Sequence, residues 1–202
     1  MTVTGTVHVV DDDDAIRDAL TWLLGSRGVP ARAWASAEAF LAEYSDGMRG
    51  CLVLDVRMGG MSGVELYDRL LERGCRLPVI FLTGHGDVPL AVGALKKGAF
   101  DFVEKPFNDN DLVDRIVAAV HHDETLSLKA QTEATVAARL AGLTQREREV
   151  MERVLAGDYN KMIADALGIA VRTVEVHRAR IFEKMGVRSA VELAQLLGPK
   201  RT

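Results

Sequence analysis

The sequence predicts an α/β domain built on a doubly wound parallel sheet, followed by a smaller all-α domain. Three observations predict it. Short apolar runs alternate with helical spacings as far as residue 120, and such alternation implies right-handed crossovers with helices on both sides of a parallel sheet. The runs themselves show little in-out alternation, as strands covered on both faces do. Beyond residue 140 only helical spacings remain, each short and bounded by capping or turn residues.

TVHVV at 6–10 predicts the first strand, and Ile16, Leu20, Leu23 and Leu24 recur at the spacing of a helix after it. VPARAWAS at 29–36 is a weaker strand candidate, followed by a helical pattern at Ala37, Phe40 and Leu41. CLVLD at 51–55 predicts a strand, and Val64, Leu66, Leu70 and Leu71 the next helix. VIFLTG at 79–84 is followed by Leu90, Val92 and Leu95, and FDFVEKPF at 100–107 by Leu112, Ile116 and Val120. Residues 121–140 hold few large apolar groups and no Gly or Pro, which predicts a helical linker. Four short helices then follow: Thr144 to Ala156, Asn160 to Leu167, Val171 to Met185 and Ser189 to Leu197. Their stops are Gly157-Asp158, Gly168, Gly186 and Gly198-Pro199, with Thr, Asn or Ser marking starts. The expected organisation is a first domain at 1–122, a linker at 123–139 and a second domain at 140–202.

Hydrophobic residues make up 48% of the 202 and charged ones 27%, a mixture that supports a buried core and excludes a disordered chain. No stretch approaches the roughly 18 to 20 apolar residues of a bilayer span, and MTVTGTV lacks the layout of a secretory signal. The expectation is a cytoplasmic protein with no membrane partner. Cys51 and Cys75 match no metal-ligand spacing and read as buried free thiols. Residues 1–122 carry 12 Lys/Arg against 18 Asp/Glu, a balance of −6, whereas residues 139–202 carry 12 against 8, a balance of +4. The basic end suits a polyanion or an ordinary solvated surface.

The first apolar run stops at Asp11, Asp12, Asp13 and Asp14. Strand ends in such a sheet line up, so Asp11, Asp12, Asp55, Thr83 and Lys105 converge on one edge although they lie far apart in sequence. Carboxylates crowded there raise one another's pKa unless a cation neutralises them. All the ligands on offer are oxygens, which favours Mg²⁺ over zinc or copper. Asp13 and Asp14 read as the capping start of a helix, where the dipole favours negative charge. A metal-held Asp is a known phosphoryl acceptor. Lys105 suits a phosphoryl oxygen and Thr83 can donate its hydroxyl to another, with Gly59, Gly60 and Gly84 leaving room.

VVDD, LVLD, FLTG and FVEKPF, in that order, resemble the receiver domain of two-component response regulators. LTQREREVMERVLAG, NKMIADALGI and RTVEVHRARIFEKMGVRS resemble the LuxR-type helix-turn-helix output domain, so the chain is similar to the FixJ-like members of the NarL/FixJ group. The resemblance implies a flavodoxin-like five-stranded sheet of order 2-1-3-4-5 and a four-helix DNA-binding domain. It implies that Asp55 is the phosphoacceptor, supplied by a sensor histidine kinase. Asp12 and Asp55 would bind Mg²⁺ directly, Asp11 through water, and the backbone carbonyl of Arg57 would complete the ligands. Thr83 and Phe102 match the family's switch pair, although Phe102 reads equally as a core aromatic. Lys105-Pro106 matches a bond usually cis in the family. One departure is Met58-Gly59-Gly60 where the family reads Met-Pro-Gly, a change that frees the backbone of this loop.

By the same resemblance, phosphorylation is expected to draw the Thr83 hydroxyl toward the phosphoryl group, turn Phe102 inward and favour a homodimer through the surface around Leu95, Lys96, Lys97, Phe100, Asp101 and the helix from Asp109. Val171 to Met185 is the expected recognition helix, with Val174, Ile181, Phe182 and Met185 inward and Arg172, Glu175, Val176 and Ala179 toward promoter DNA. Asn160, Lys161, Thr173, Arg178, Arg180, Lys184 and Arg188 are expected phosphate contacts, and His177 supports packing or touches phosphate. RNA polymerase is a further candidate contact. Two rival readings are a haloacid-dehalogenase-like phosphatase and a constitutive dimerisation module. The phosphatase would need a second carboxylate two residues after the nucleophile, where this chain has Arg57.

Overall fold

A computed structural model describes residues 5–84 and 88–198; Pro199, the last expected turn signal, lies outside them. In chain order the elements are β1 (Thr6–Val10), α1 (Asp14–Ser26), β2 (Ala31–Trp34), α2 (Ala37–Glu43), β3 (Gly50–Asp55), α3 (Gly63–Glu72), β4 (Val79–Thr83), α4 (Val88–Lys96), β5 (Asp101–Glu104) and α5 (Asp109–Ala141). Four further helices follow: α6 (Gln145–Leu155), α7 (Asn160–Leu167), α8 (Val171–Met185) and α9 (Ala190–Leu197).

The strands form one parallel sheet in the order β2-β1-β3-β4-β5. The expected order 2-1-3-4-5 is therefore the observed one, and the order reverses beside β1 and β3, where such sheets open a crevice at their carboxyl ends. Inside the apolar runs a period of two is present but hidden. Cys51 and Val53 of β3 join Val7, Val9, Ile80 and Leu82 in the layer covered by α1 and α5. Leu52 and Leu54 join Val10, Val79 and Phe81 in the layer beneath α2, α3 and α4. Both faces are dry, so both sets must be apolar and the sequence alternation vanishes. The edge strands differ: β2 is buried only at Trp34, and no residue of β5 is fully buried. β5 also stops at Glu104, ahead of Lys105-Pro106, because proline has no N–H for a ladder.

The chain divides into two compact units, Met1–Leu128 and Lys129–Thr202. The second has its own core of Leu143, Val150, Met151, Val154, Ile163, Val174, Ile181, Met185 and Leu193. α5 crosses the division, and its buried side chains end at Asp123. None of residues 124–142 is buried, which explains why this stretch reads as good helix formers with few large apolar groups. Among the described residues no helix is long and apolar enough to cross a membrane.

Candidate functional site

β1, β3 and β4 end side by side, and each delivers a polar group to the sheet edge. Asp11 directly follows β1, Asp55 ends β3 and Thr83 ends β4. Lys105 follows β5, and its N–H donates to the Thr83 carbonyl at 2.7 Å. From there Lys105 Nζ donates to Asp55 Oδ1 at 2.6 Å and to Asp11 Oδ2 at 2.9 Å. Oxygens of Asp11, Asp12 and Asp55 lie within 4.8 Å of one another. Asp11 and Asp55 are buried, whereas Asp12 is exposed. The Lys105-Pro106 bond is cis.

The electrostatics follow from this crowding. Burial pushes the Asp55 carboxyl above its ordinary range, Lys105 partly offsets this through its hydrogen bond and charge, and Asp11 adds to the rise. Burial alone would lower the Lys105 ammonium, but its hydrogen bonds to Asp55 and Asp11 prevail and raise it. Both directions are consistent, because an ammonium shared with a second carboxylate returns less to Asp55 than burial removes. Thr83 Oγ1 is fully buried and has no hydrogen-bond partner among the described residues. A buried hydroxyl in that state is costly unless another ligand state supplies its acceptor.

Local structure fixes these groups. Asp13 caps α1, accepting from the Ala15 N–H at 2.8 Å, and Asp14 opens the helix, ion-paired with Arg17. Arg17 Nη1 also donates to the Asp11 carbonyl at 2.7 Å. The Arg57 N–H donates to Asp55 Oδ2 at 3.0 Å. α3 starts against Asp55, since a Cβ on Gly63 would fall 2.0 Å from the Asp55 carbonyl oxygen. Only glycine permits that approach. The freedom brought by Gly59 and Gly60 is taken up by carboxylates: Gly59 N–H donates to Asp12 Oδ2 and Met61 N–H to Glu38 Oε1, each at 2.8 Å. Glu38, Arg17 and the Gly59 amide were not legible in the sequence, because no periodicity encodes where a loop amide points. Phe102 is half-buried against the α2–α4 layer and lies opposite Phe81 in the β4–β5 register.

In the second unit α7 and α8 are joined by a short turn in which Gly168 takes φ 64, the left-handed value that glycine adopts without strain. α8 buries Val174, Ile181 and Met185 and half-buries Phe182, leaving Arg172, Thr173, Glu175, Val176, Ala179 and Arg180 exposed. Arg172 Nη1 lies 3.1 Å from Glu175 Oε2, and the Arg178 guanidinium sits 5.6 Å from the Phe182 ring centroid. Lys161 and Arg188 are exposed, and Asn160 and His177 half-buried. Lys184 is differently engaged: its Nζ donates to Glu147 Oε2 at 2.7 Å and to the Gly142 carbonyl at 3.2 Å. Glu147 completes a capping box with Thr144, and Lys184 together with that box holds its carboxyl down at about 2. The T-x-x-E spacing of Thr144 and Glu147 is a sequence signal of that box; the partnership with Lys184 has none.

Residues 7–117 match the response regulator receiver domain family, and residues 141–197 match the bacterial regulatory proteins of the luxR family. The chain is 55% identical over 193 residues to the C4-dicarboxylate transport transcriptional regulatory protein DctR of Rhodobacter capsulatus, covering 95% of this chain and 98% of that protein. It is 44% identical over 196 residues to the transcriptional regulatory protein FixJ of Bradyrhizobium diazoefficiens, covering 97% and 96%. The solved structure of the response regulator StyR superposes with a TM-score of 0.90 at 40% identity, covering 96% of this chain and 98% of that one. A receiver sheet edged with clustered acids, a luxR-type helical unit and full-length likeness to FixJ agree: this chain belongs to the FixJ/NarL family of response regulators, transcription factors rather than enzymes.

Proposed function

We propose that Asp55 accepts a phosphoryl group from a sensor histidine kinase, and that this switches dimerisation and promoter binding by the C-terminal helices. The observation that carries the proposal is the convergence of Asp55, Lys105 and a buried, unpartnered Thr83 hydroxyl on one sheet edge. One carboxylate oxygen of Asp55 forms the new O–P bond as the donor's N–P bond breaks. Lys105 pairs with a phosphoryl oxygen, and Thr83 Oγ1 donates to another, gaining the acceptor it lacks. Phe102 is the proposed aromatic partner of that shift.

The same edge fits a hard divalent cation. Its donors are all carboxylate oxygens within 4.8 Å of one another, the set that suits magnesium. Asp12, Asp55 and the Arg57 carbonyl are the proposed direct ligands, with Asp11 acting through water. Magnesium bound there would offset the negative charge that gathers on the phosphoryl oxygens.

For the output unit, the exposed face of α8 carrying Arg172, Glu175, Val176 and Ala179 is the proposed base-reading surface. Asn160, Lys161, Thr173, Arg178, Arg180 and Arg188 are the proposed phosphate contacts. Lys184, already committed to Glu147 and the Gly142 carbonyl, has one ammonium N–H left to join them. The domain limits proposed remain 1–122, 123–139 and 140–202, and a kinase-fed promoter-binding protein would act in the cytoplasm, with RNA polymerase as a further contact.

The test uses acetyl phosphate or beryllofluoride with Mg²⁺ on the full chain. Intact mass should rise by one phosphoryl group with acetyl phosphate, and DNA binding should tighten with either reagent. Asp55→Asn should abolish both effects. Unaltered DNA affinity in the modified protein would defeat the reading.

A further inference from the structure

Asp12 is tethered across two loops. Its Oδ2 accepts from the Gly59 N–H at 2.8 Å, joining the turn after β1 to the turn after β3. The neighbouring stretch is tied from another side, where the Met61 N–H donates to Glu38 Oε1 at 2.8 Å. Hydrogen bonds from amides to ionised carboxylates are among the stronger ones in proteins. Gly59 takes no left-handed φ, unlike Gly60 beside it at φ 84. Position 59 therefore does not need glycine for its backbone angle. What a proline there would remove is the N–H itself.

We propose that Gly59 is a positioning residue whose amide holds the Asp12 carboxylate beside Asp11 and Asp55 and so pre-organises the donor set for Mg²⁺. The inference rests on the magnesium reading above and adds to it a residue specific to this chain's Met58-Gly59-Gly60 loop. Asp12 is the exposed member of the three acids, so nothing in a packed core confines its side chain. Held by the amide, it lies with its neighbours inside a 4.8 Å group. A carboxylate offers about four acceptor directions. One hydrogen bond leaves the others for a cation. Ordering the ligand before the ion arrives removes that cost from the binding step. The amide also draws charge from the carboxylate, which opposes binding; the close grouping of the donors decides in favour of pre-organisation.

The experiment is calorimetric titration of the full chain with MgCl₂, comparing wild type with Gly59→Ala, Gly59→Pro and Asp12→Ala. Gly59→Ala is the conservative variant, because it keeps the N–H and, among the described residues, a Cβ there meets only Asp12 Oδ2 at 3.7 Å. It should bind Mg²⁺ like wild type. Gly59→Pro should bind about 2- to 5-fold more weakly, the size expected from freeing one short side chain, and Asp12→Ala more weakly still. A second measurement, amide hydrogen exchange followed by NMR in the metal-free protein, should show Gly59 exchanging faster in Asp12→Ala than in wild type. Wild-type affinity in folded Gly59→Pro overturns the inference and leaves the magnesium reading standing. No magnesium heat in wild type overturns both. If Gly59→Pro does not fold, the exchange experiment decides, and an unchanged Gly59 rate in Asp12→Ala overturns the inference.

Discussion

At the scale of single residues, the receiver edge holds one group in an expensive state. Thr83 Oγ1 is buried without a partner among the described residues, so replacing it by an apolar residue of similar shape should relieve the resting protein. Thr83→Val is expected to raise stability by about 1 kcal/mol in urea denaturation without phosphoryl donor. The same variant should lose most of the beryllofluoride-induced gain in DNA binding; a full response would remove Thr83 from the switch. The second unit offers a titration. The Glu147 carboxyl is held at about 2, below the ordinary 4.5, by Lys184 and the Thr144 capping box. A depressed carboxyl stabilises the fold above its unfolded value, and that contribution disappears as pH falls from about 4.5 toward 2. Acid unfolding of this unit should become less steep over that window in Glu147→Gln, and an identical profile would show that Lys184 adds nothing. The acids themselves were legible in the sequence because strand ends in a parallel sheet must converge. Glu38 and the Gly59 amide were not, since their partnership depends on the path of loops that carry no periodic signal.

At the scale of elements, burial decided what could be read. β1, β3 and β4 sit centrally, and their runs stand out because both faces are covered. β2 lies at an edge with two exposed residues, which is why VPARAWAS gave a weaker pattern. α5 shows another limit. Asp123 lies one residue past the expected end of the first domain, yet its side chain is buried in the first unit. Its Oδ2 accepts from Arg49 Nε and from the Gly50 N–H, both at 2.9 Å, and its carbonyl accepts from Arg49 Nη2 at 2.6 Å. An acid among good helix formers gives no hint that it grips the start of β3. Asp123→Ala should cost about 1–3 kcal/mol of receiver stability, because it strands the buried Gly50 amide. Denaturant midpoints check this, with hydrogen exchange at Gly50 expected to quicken; an unmoved midpoint would make the contact incidental.

At the scale of the whole molecule, the two units have separate interiors. The receiver layers draw only on residues up to Val120, and the C-terminal core begins near Leu140. A fragment spanning residues 129–202 should therefore unfold cooperatively by circular dichroism, and a broad, non-cooperative melt would contradict an independent core. Such independence also sets what phosphorylation can do. On the proposed reading it shifts populations of the receiver and reaches DNA through dimerisation or release, which predicts faster sedimentation of the beryllofluoride-treated chain at micromolar concentration. Equal sedimentation with tighter DNA binding would favour release alone.

The stretch from 124 to 138, where α5 buries nothing, has a further consequence for descent. A genetic crossover falling there would join one ancestor's signal-receiving half to another's gene reader without opening a hole in either interior. Regulatory circuits can be rewired at such a seam in a single event, leaving later substitutions to adjust only how loudly the new pair converse.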